Sequence, residues 1–352
     1  MKTVAIVGTV GIPACYGGFE SLVENLTLST NEKLQYIVFC SSVSYKNKLS
    51  SHNNARLIYI PLKANGVQSI LYDILSLIKC CFIRPNVVMI LGVSGCIFLP
   101  LFRLFSRSKV ITNIDGLEWK RDKWGKWTRR FLKWSEAIAI KYSDVVITDN
   151  QAITNYVEEE YSVSSQTIAY GGDHAIRNTV VTPLLDSYAL GICRIEPENN
   201  IAMILEAFSK SGKMLKFVGN WEASEFGRAI KNRYSIYNNI ELLNPIYDLD
   251  ELYILRRKCS LYLHGHSAGG TNPSLVEMMH FGIPIMAFDC SFNRYSTDNK
   301  ATYFKTSNEL INLLNISTND SLSKNAKAMR ELAVERYTWN KISVQYEDNY
   351  FK

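Results

Sequence analysis

Short β-rich runs alternate with helical patterns along almost the whole chain, and this restricts the possible folds more than any other feature. Strand-like runs occur at Thr3–Val7, Gln35–Cys40, Arg56–Ile60, Val87–Leu91, Lys109–Asn113, Val145–Thr148 and Thr167–Ala169. Helical patterns at Phe19–Thr30, Val67–Phe82, Thr128–Tyr142 and Ile153–Glu160 lie between them. Such alternation predicts parallel sheets built from βαβ units. The stretch from Tyr170 to Pro183 is polar, contains glycine and lacks apolar periodicity, so it marks a domain junction. A second series follows, with strands at Ser187–Cys193, Met214–Val218, Ile240–Leu243, Cys259–Leu263 and Ile285–Phe288. Its helices are expected at Ile201–Ser209, Leu249–Lys258 and around Glu277, before a helical region from Ser323 to Phe351 broken at Tyr337-Thr338-Trp339. A chain of 352 residues exceeds what one hydrophobic core usually serves, so two doubly wound α/β domains are expected.

Composition excludes several classes. An apolar fraction of 47% with 20% charged residues is that of a soluble globular protein. Eight cysteines are scattered without a C-x-x-C pair or a histidine at zinc-finger spacing, which reads as reduced cytosolic thiols and no metal site. The run Met1 to Val7 is too short and too soon broken for a signal peptide. The longest uncharged apolar stretch, Val87 to Phe102, is interrupted by Gly92, Ser94, Gly95 and Pro100. It falls short of the roughly 20 residues a spanning helix needs, and reads as a buried strand followed by an apolar helix.

The segment from His264 to Met279 follows a strand, passes through small and polar residues, and opens a helix that stops at Gly282-Ile283-Pro284. Backbone N–H groups at Gly270 and Thr271, with the helix dipole behind them, would favour a phosphate. Glu277 lies about one turn inside, where a carboxylate can accept from sugar hydroxyls. The alternative is an ordinary capped helix, with Asn272 or Thr271 as N-cap and Pro273 in the first position. A glycine-rich loop also follows the first strand, from Gly8 to Glu20, but its spacing is not G-x-G-x-x-G. The second strand ends Phe39-Cys40-Ser41-Ser42 without the acid that would hold an NAD ribose, so a nicotinamide enzyme is disfavoured. Gly17 and Gly18, directly before a helix, form a second candidate anion site; Glu20 is otherwise only a favourable first-turn charge.

Gly17-Gly18-Phe19-Glu20, the run Gly270-Thr271-Asn272-Pro273-Ser274-Leu275 with Glu277 beyond it, and the closing Tyr337-Thr338-Trp339 helix together resemble the retaining GT-B glycosyltransferases of family 4. The stretches Val7 to Glu20 and Asp115-Gly116-Leu117-Glu118-Trp119-Lys120-Arg121 resemble its bacterial branch that includes β-1,4-rhamnosyltransferases of capsule and O-antigen assembly. The resemblance implies two doubly wound Rossmann-like domains facing a cleft. An acceptor domain would span 1–172, a nucleotide-sugar domain 173–335, and a C-terminal helix 336–352 would return to the first domain.

Carried residue by residue, Glu277 matches the second glutamate of the family's E-x7-E element, which holds the ribose, while the first is replaced by Gly269. Arg194 matches the strand-end arginine that grips the diphosphate, and the usual lysine beyond it is Asn199. The other reading of Arg194 is a surface partner of Glu196 or Glu198. Asp115 stands where a His-Asp pair often flanks the reacting carbon, with Ile114 in place of the histidine. Asp115 or Glu118 could orient or deprotonate an acceptor hydroxyl, or Asp115 could simply serve the turn before Gly116. His264 and His266 could bond the donor. With helix N-termini and Arg194 to neutralise the diphosphate, transfer without a metal or other cofactor is expected.

Between Arg103 and Lys141 eleven basic residues face four acidic ones, interleaved with four of the chain's six tryptophans. Trp119, Lys120, Lys123, Trp124, Lys126, Trp127, Arg129 and Arg130 form the core of this segment. Such a mixture suits an anionic membrane surface. Nucleic acid could use the same residues, but lipid-linked acceptors of the family favour the membrane. The alternative is a solvated helix face with tryptophans in the core. The resulting expectation is a cytoplasmic enzyme at the inner face of the cell membrane, moving L-rhamnose from dTDP-rhamnose to a lipid-linked oligosaccharide. The alternatives are a UDP-hexose donor, a UDP-sugar epimerase of the same fold, or a silent sugar-nucleotide-binding homologue, the last motivated by Gly269 and Asn199.

Overall fold

The computed structural model describes residues 1–14, 17–28, 31–114, 116–120, 124–178 and 188–352. The chain divides into two compact units, one of Met1–Tyr170 with Trp339–Lys352 and one of Gly171–Thr338.

The first unit runs β1 (Lys2–Val7), α1 (Gly18–Thr27), β2 (Leu34–Ser41), β3 (Ser51–His52), β4 (Ala55–Ile60), α2 (Gln68–Ile83) and β5 (Val87–Leu91). It continues through α3 (Leu99–Phe105), β6 (Lys109–Ile114), α4 (Lys126–Tyr142), β7 (Val145–Thr148), α5 (Gln151–Tyr161) and β8 (Gln166–Thr167). The sheet order is β3-β4-β2-β1-β5-β6-β7-β8, parallel except where the two-residue β3 meets β4. Val4–Val7 and Val87–Leu91 are buried throughout, as central parallel strands covered on both faces must be.

Parallel crossovers are right-handed, so the direction of each step decides which face its helix covers. The step β1 to β2 runs one way along the sheet, while β4 to β5, β5 to β6 and β6 to β7 run the other. The parallel step β7 to β8 runs that way too, so α1 covers one face, and α2, α3, α4 and α5 cover the opposite one. The helix Trp339–Phe351 packs beside α1 and completes that first layer. Its Tyr350 meets Tyr36 edge-on at 6.2 Å, its Tyr346 hydroxyl accepts from Asn113 at 2.6 Å, and its Asn349 donates to Gln166 at 2.7 Å. Trp339–Lys352 therefore belong to the first unit.

The second unit runs β9 (Tyr188–Ile192), α6 (Ile201–Ser211), β10 (Met214–Val218), α7 (Glu225–Tyr234), β11 (Ile240–Leu243), α8 (Leu249–Lys258) and β12 (Leu261–His264). Then come α9 (Pro273–His280), β13 (Ile285–Phe288), α10 (Ser291–Ser296), β14 (Thr302–Phe304), α11 (Ser307–Ile316) and α12 (Asn319–Arg336), with the closing helix as α13. Its parallel sheet has the order β11-β10-β9-β12-β13-β14. Trp221 is fully buried against Phe217 and donates its indole N–H to the Leu243 carbonyl at 2.8 Å, which satisfies its one polar atom. Side chains of Ser224, Asp248, Asn272, Thr306 and Thr318 cap the helices they precede.

Among the described residues, no helix is long and apolar enough to cross a membrane. The described cysteines are all free. The sequence pattern did not single out β3 with two residues, β14 with three, α10 with six, α7, whose Glu225-Phe226-Gly227-Arg228 start carries few apolar positions, or the ten-residue α11.

Tyr350 is fully buried, and its hydroxyl donates to the Met89 sulfur. Tyr350→Ala should lower unfolding stability by about 3–5 kcal/mol, the usual cost of emptying a large aromatic site. Urea unfolding of the full chain followed by circular dichroism measures it.

Candidate nucleotide-binding and transfer site

In each sheet the chain turns in opposite directions from two neighbouring strands, and ligands favour the crevice that opens beyond those strand ends. In the second unit the two strands are β9 and β12. Their loops are tied together: Ser267 donates through its N–H and its hydroxyl to the Glu198 carbonyl at 3.0 and 2.8 Å, and Asn200 donates to the Gly265 carbonyl at 2.8 Å. Gly265 is required here, because a Cβ would stand 2.1 Å from the Asn199 carbonyl oxygen. Asn199 is buried and donates to the Arg194 carbonyl at 2.7 Å, so its side chain shapes the loop that carries Arg194. The Arg194 guanidinium is itself half exposed and loosely paired with Glu196 at 3.9 Å.

His264, the last residue of β12, is 1% exposed, and neither ring nitrogen has a hydrogen-bond partner among the described residues. Its ring stacks on His266 at 4.4 Å and 15°. Burial first, and the neighbouring His266 second, hold its pKa well below the usual 6.5, so at neutral pH it presents one N–H and one lone pair. A buried polar group left unmatched costs about 1–3 kcal/mol, and such sites call for an explanation. Asn272 caps α9, accepting from the Ser274 N–H at 3.1 Å, and Pro273 takes the first position. The capped-helix geometry is therefore present; Gly269 and Gly270 before it are part-buried and Thr271 is buried.

Glu277 is largely buried on α9, and both its oxygens are engaged. One pairs with the guanidinium of Arg256, a buried residue near the end of α8, and the other lies 3.3 Å from His174 Nε2. Burial alone would raise this carboxyl's pKa, but Arg256 and His174 outweigh it and hold the value below 4.5. Gly172 makes the approach of the His174 turn possible, since a Cβ there would meet the Val276 carbonyl at 2.6 Å. Neither Arg256 nor His174 was visible as a site residue in the sequence. Arg256 lies in Arg256-Arg257-Lys258, which reads as charge at a helix C-terminus, and His174 lies in the polar junction.

In the first unit the corresponding strands are β1 and β5. Gly8, at φ +93°, lets the loop pass the Leu91 carbonyl, 2.1 Å from where a Cβ would be. Glu20 is buried and accepts from the Thr9 hydroxyl at 2.9 Å and the Val10 N–H at 2.7 Å. It is thus more than a favourable first-turn charge: it anchors the glycine-rich loop. Its other oxygen lies 2.1 Å from the Cβ position of Gly17, which precedes α1 at φ +128°. Gly18 opens the helix, so a carboxylate already stands beside the N-terminus expected to hold an anion.

The basic, tryptophan-rich segment separates into two parts. Trp119 packs on Tyr156 at 6.3 Å, and Lys133 stands 4.8 Å over Trp119 and 4.7 Å over both Tyr156 and Tyr161. Lys120 lies 5.2 Å over Trp119, and buried Glu136 accepts from the Tyr156 and Tyr161 hydroxyls at 2.6 and 2.7 Å. Trp119 is therefore a packing residue of this cage, not a surface ring as expected. Trp124 donates to Glu118 at 3.0 Å, which holds the candidate acceptor carboxylate in place. Lys126, Trp127 and Arg130 are exposed, whereas Arg129 is half-buried. Asp115 and Lys123 lie outside the described residues.

Residues 1–173 match a family model described as "Domain of unknown function (DUF1972)". No curated protein matches the chain in sequence. Solved structures match nearly all of it. A sucrose-phosphate synthase from Thermosynechococcus elongatus aligns with a TM-score of 0.82 at 13% identity, covering 99% of this chain and 98% of that one. HepE of Anabaena in complex with UDP aligns with 0.77 at 13% identity, covering 99% of each chain. A glycosyltransferase from Rickettsia africae aligns with 0.73 at 13% identity, covering 99% and 97%. These likenesses define the fold as the GT-B type, with two Rossmann-like units.

Replacing Arg256 by Met should cost about 3–5 kcal/mol, because it strands a buried carboxylate. The Glu277 pKa is lowered in the folded state, so its stabilisation is present above the ordinary 4.5 and lost as pH falls through the folded value. For His264 and His280 the folded pKa is lowered from 6.5, so the unfolded chain takes up protons first and stability should decline as pH drops below 6.5. Urea midpoints between about pH 7.5 and about pH 5.5 should fall for the wild type and fall less for His264→Gln.

Proposed function

We propose that the protein is a retaining glycosyltransferase that moves one sugar from a nucleoside-diphosphate donor to a lipid-linked oligosaccharide at the inner face of the cell membrane. The observation that carries this reading is the β12–α9 passage. One strand-to-helix turn there brings together the buried, unmatched imidazole of His264 and, one turn beyond the capped start of α9, a carboxylate kept ionised by Arg256. A nucleotide sugar offers matching chemistry: phosphate oxygens for N–H groups and ribose hydroxyls for the carboxylate. HepE of the same fold is found with UDP and with UDP-glucose. The resemblance of the Gly17–Glu20 and 115–121 motifs favours L-rhamnose from dTDP-rhamnose; a UDP-hexose, or epimerisation of a UDP-sugar, is the alternative within the fold.

In this reaction the bond from the anomeric carbon to the diphosphate breaks and the acceptor oxygen bonds that carbon from the same side. The acceptor's proton passes to Asp115 or Glu118, or to the departing phosphate. Arg194, the N-terminus of α9 and the N–H groups of Gly270 and Thr271 take up the charge that grows on the diphosphate, without a metal. Glu277 orients the ribose, and His174 is the contact that a ribose hydroxyl replaces. A second reading, a silent sugar-nucleotide-binding homologue, is favoured by Gly269 and by the use of Asn199 as a loop brace. Donor-dependent release of nucleoside diphosphate separates the two.

Glu277→Gln leaves Arg256 a hydrogen-bond acceptor but no counter-charge, so thermal unfolding of the variant is read beside its nucleotide affinity. Affinity for the nucleoside diphosphate should fall about tenfold or more, as for loss of a charged acceptor; unchanged affinity by calorimetry removes Glu277 from the site. Arg194→Ala should depress turnover more than donor affinity, since its partner's charge is largest in the transition state. Activity should persist in EDTA, and its abolition would overturn metal-free transfer.

A further inference from the structure

Three of the four helices on one face of the first sheet, α2, α3 and α4, leave an apolar surface uncovered. On α2, Val67, Leu71, Leu75 and Phe82 recur at helical spacing and are exposed, Phe82 to 82%. The helix is thus apolar on its outer stripe as well as on the inner one formed by Tyr72, Leu77 and Cys80. Next to it, α3 turns Leu101, Leu104 and Phe105 outward, Leu104 to 77%. On α4 the outward rings are Trp127, 81% exposed, and Trp134. The crossover direction puts all three helices on the same side of the sheet, and α3 packs against both neighbours. Scattered exposed leucines need no explanation, whereas a contiguous face of this kind marks an interaction surface.

Charge identifies the partner. The only acidic side chains on α2, α3 and α4 are Asp73 and Glu136, and both are buried. The exposed charges of these three helices, Lys79 on α2 and Lys126, Arg130 and Lys141 on α4, are positive, as are Arg84 and Arg107 just past the ends of α2 and α3; exposed acids begin beyond them, at Asp144 after α4, which pairs with Arg103, and at Glu158, Glu159 and Glu160 on α5. A second copy of the chain would bring this basic rim against itself in a two-fold interface, which is repulsive. An anionic bilayer accepts both features, with apolar side chains below the headgroups and ammonium and guanidinium groups among them.

We infer that the outer face of α2, α3 and α4 is inserted into the headgroup region of an anionic phospholipid membrane, with Phe82, Leu104, Phe105 and Trp127 as its apolar contacts. This sharpens the membrane part of the function proposed above and replaces Trp119 and Lys120, which pack at the aromatic cage, as the contact. Insertion differs from electrostatic adsorption in surviving salt, because burial of apolar surface is not screened.

The test uses the full chain with sedimented vesicles of phosphatidylcholine alone or mixed with phosphatidylglycerol. Wild type should bind the mixed vesicles and retain part of that binding at high salt. A combined Phe82→Ser, Leu104→Ser and Phe105→Ser variant should bind about tenfold or more weakly and lose the salt-resistant part. Lys126→Gln with Arg130→Gln should lose mainly the salt-sensitive part. Brominated lipid should quench wild-type fluorescence more than that of Trp127→Phe. Thermal midpoints and stabilisation by nucleoside diphosphate, read on the same samples, verify folding and report the donor site separately, so loss of one reading leaves the other standing. Absence of wild-type binding, or undiminished binding by the triple-serine variant, overturns the inference. So does a change only in sedimenting mass, which would make the face a contact between copies.

Discussion

A parallel sheet covered on both faces admits a polar side chain along its strands only where a partner meets it, as Tyr346 meets Asn113, and that constraint organises the rest of this molecule. Val4–Val7, Val87–Leu91 and Leu261–Leu263 are apolar and buried, and the first chemically capable side chain appears where a strand stops. His264 is such a residue, Arg194 follows β9 by two positions, and Thr9 follows β1 by two. Once at a strand end, polar groups must be held by something other than the ladder. The glycine-rich loop leans on Glu20, the Arg194 loop on Asn199, and Glu277 on Arg256. The first two are local braces within one strand-to-helix passage, and the third joins α8 to α9.

That division explains what could be seen in the sequence. Strand runs such as Val87–Leu91 and Ile285–Phe288 are legible because full burial demands an uninterrupted apolar run, and the observed bounds repeat them. The break between α12 and α13 is legible because the helical pattern stops at Tyr337. The candidate site is legible only where its residues are close in sequence, as from His264 to Glu277. Arg256 and His174 meet Glu277 from separate elements, and no spacing rule connects positions that far apart. Glu20 shows the opposite limit: its position at the start of a helix suggested dipole compensation, whereas its hydrogen bonds go to the preceding loop.

The basic segment shows how composition can be correct while placement is not. Four tryptophans and eleven cations in one stretch look like a single surface. Folded, they serve two ends. Lys133 is fixed among three aromatic rings with Glu136 and Glu160 beside it, which steadies the turn that carries Glu118. Trp127 and Trp134 project from the other side of α4's amphipathic pattern. The apolar partners of those outward rings come from α2 and α3, in a part of the sequence that reads as an ordinary core helix and an interrupted hydrophobic run.

The return of α13 to the first unit has a consequence for how the protein is made. Tyr36, Asn113 and Gln166 belong to segments synthesised early, yet the side chains that cover them are Tyr350, Tyr346 and Asn349. The whole of Gly171–Thr338 leaves the ribosome in between. The second unit can therefore close its own core while one layer of the first is still bare. The unit begun first is completed only after the second, by the α13 residues that follow it in sequence.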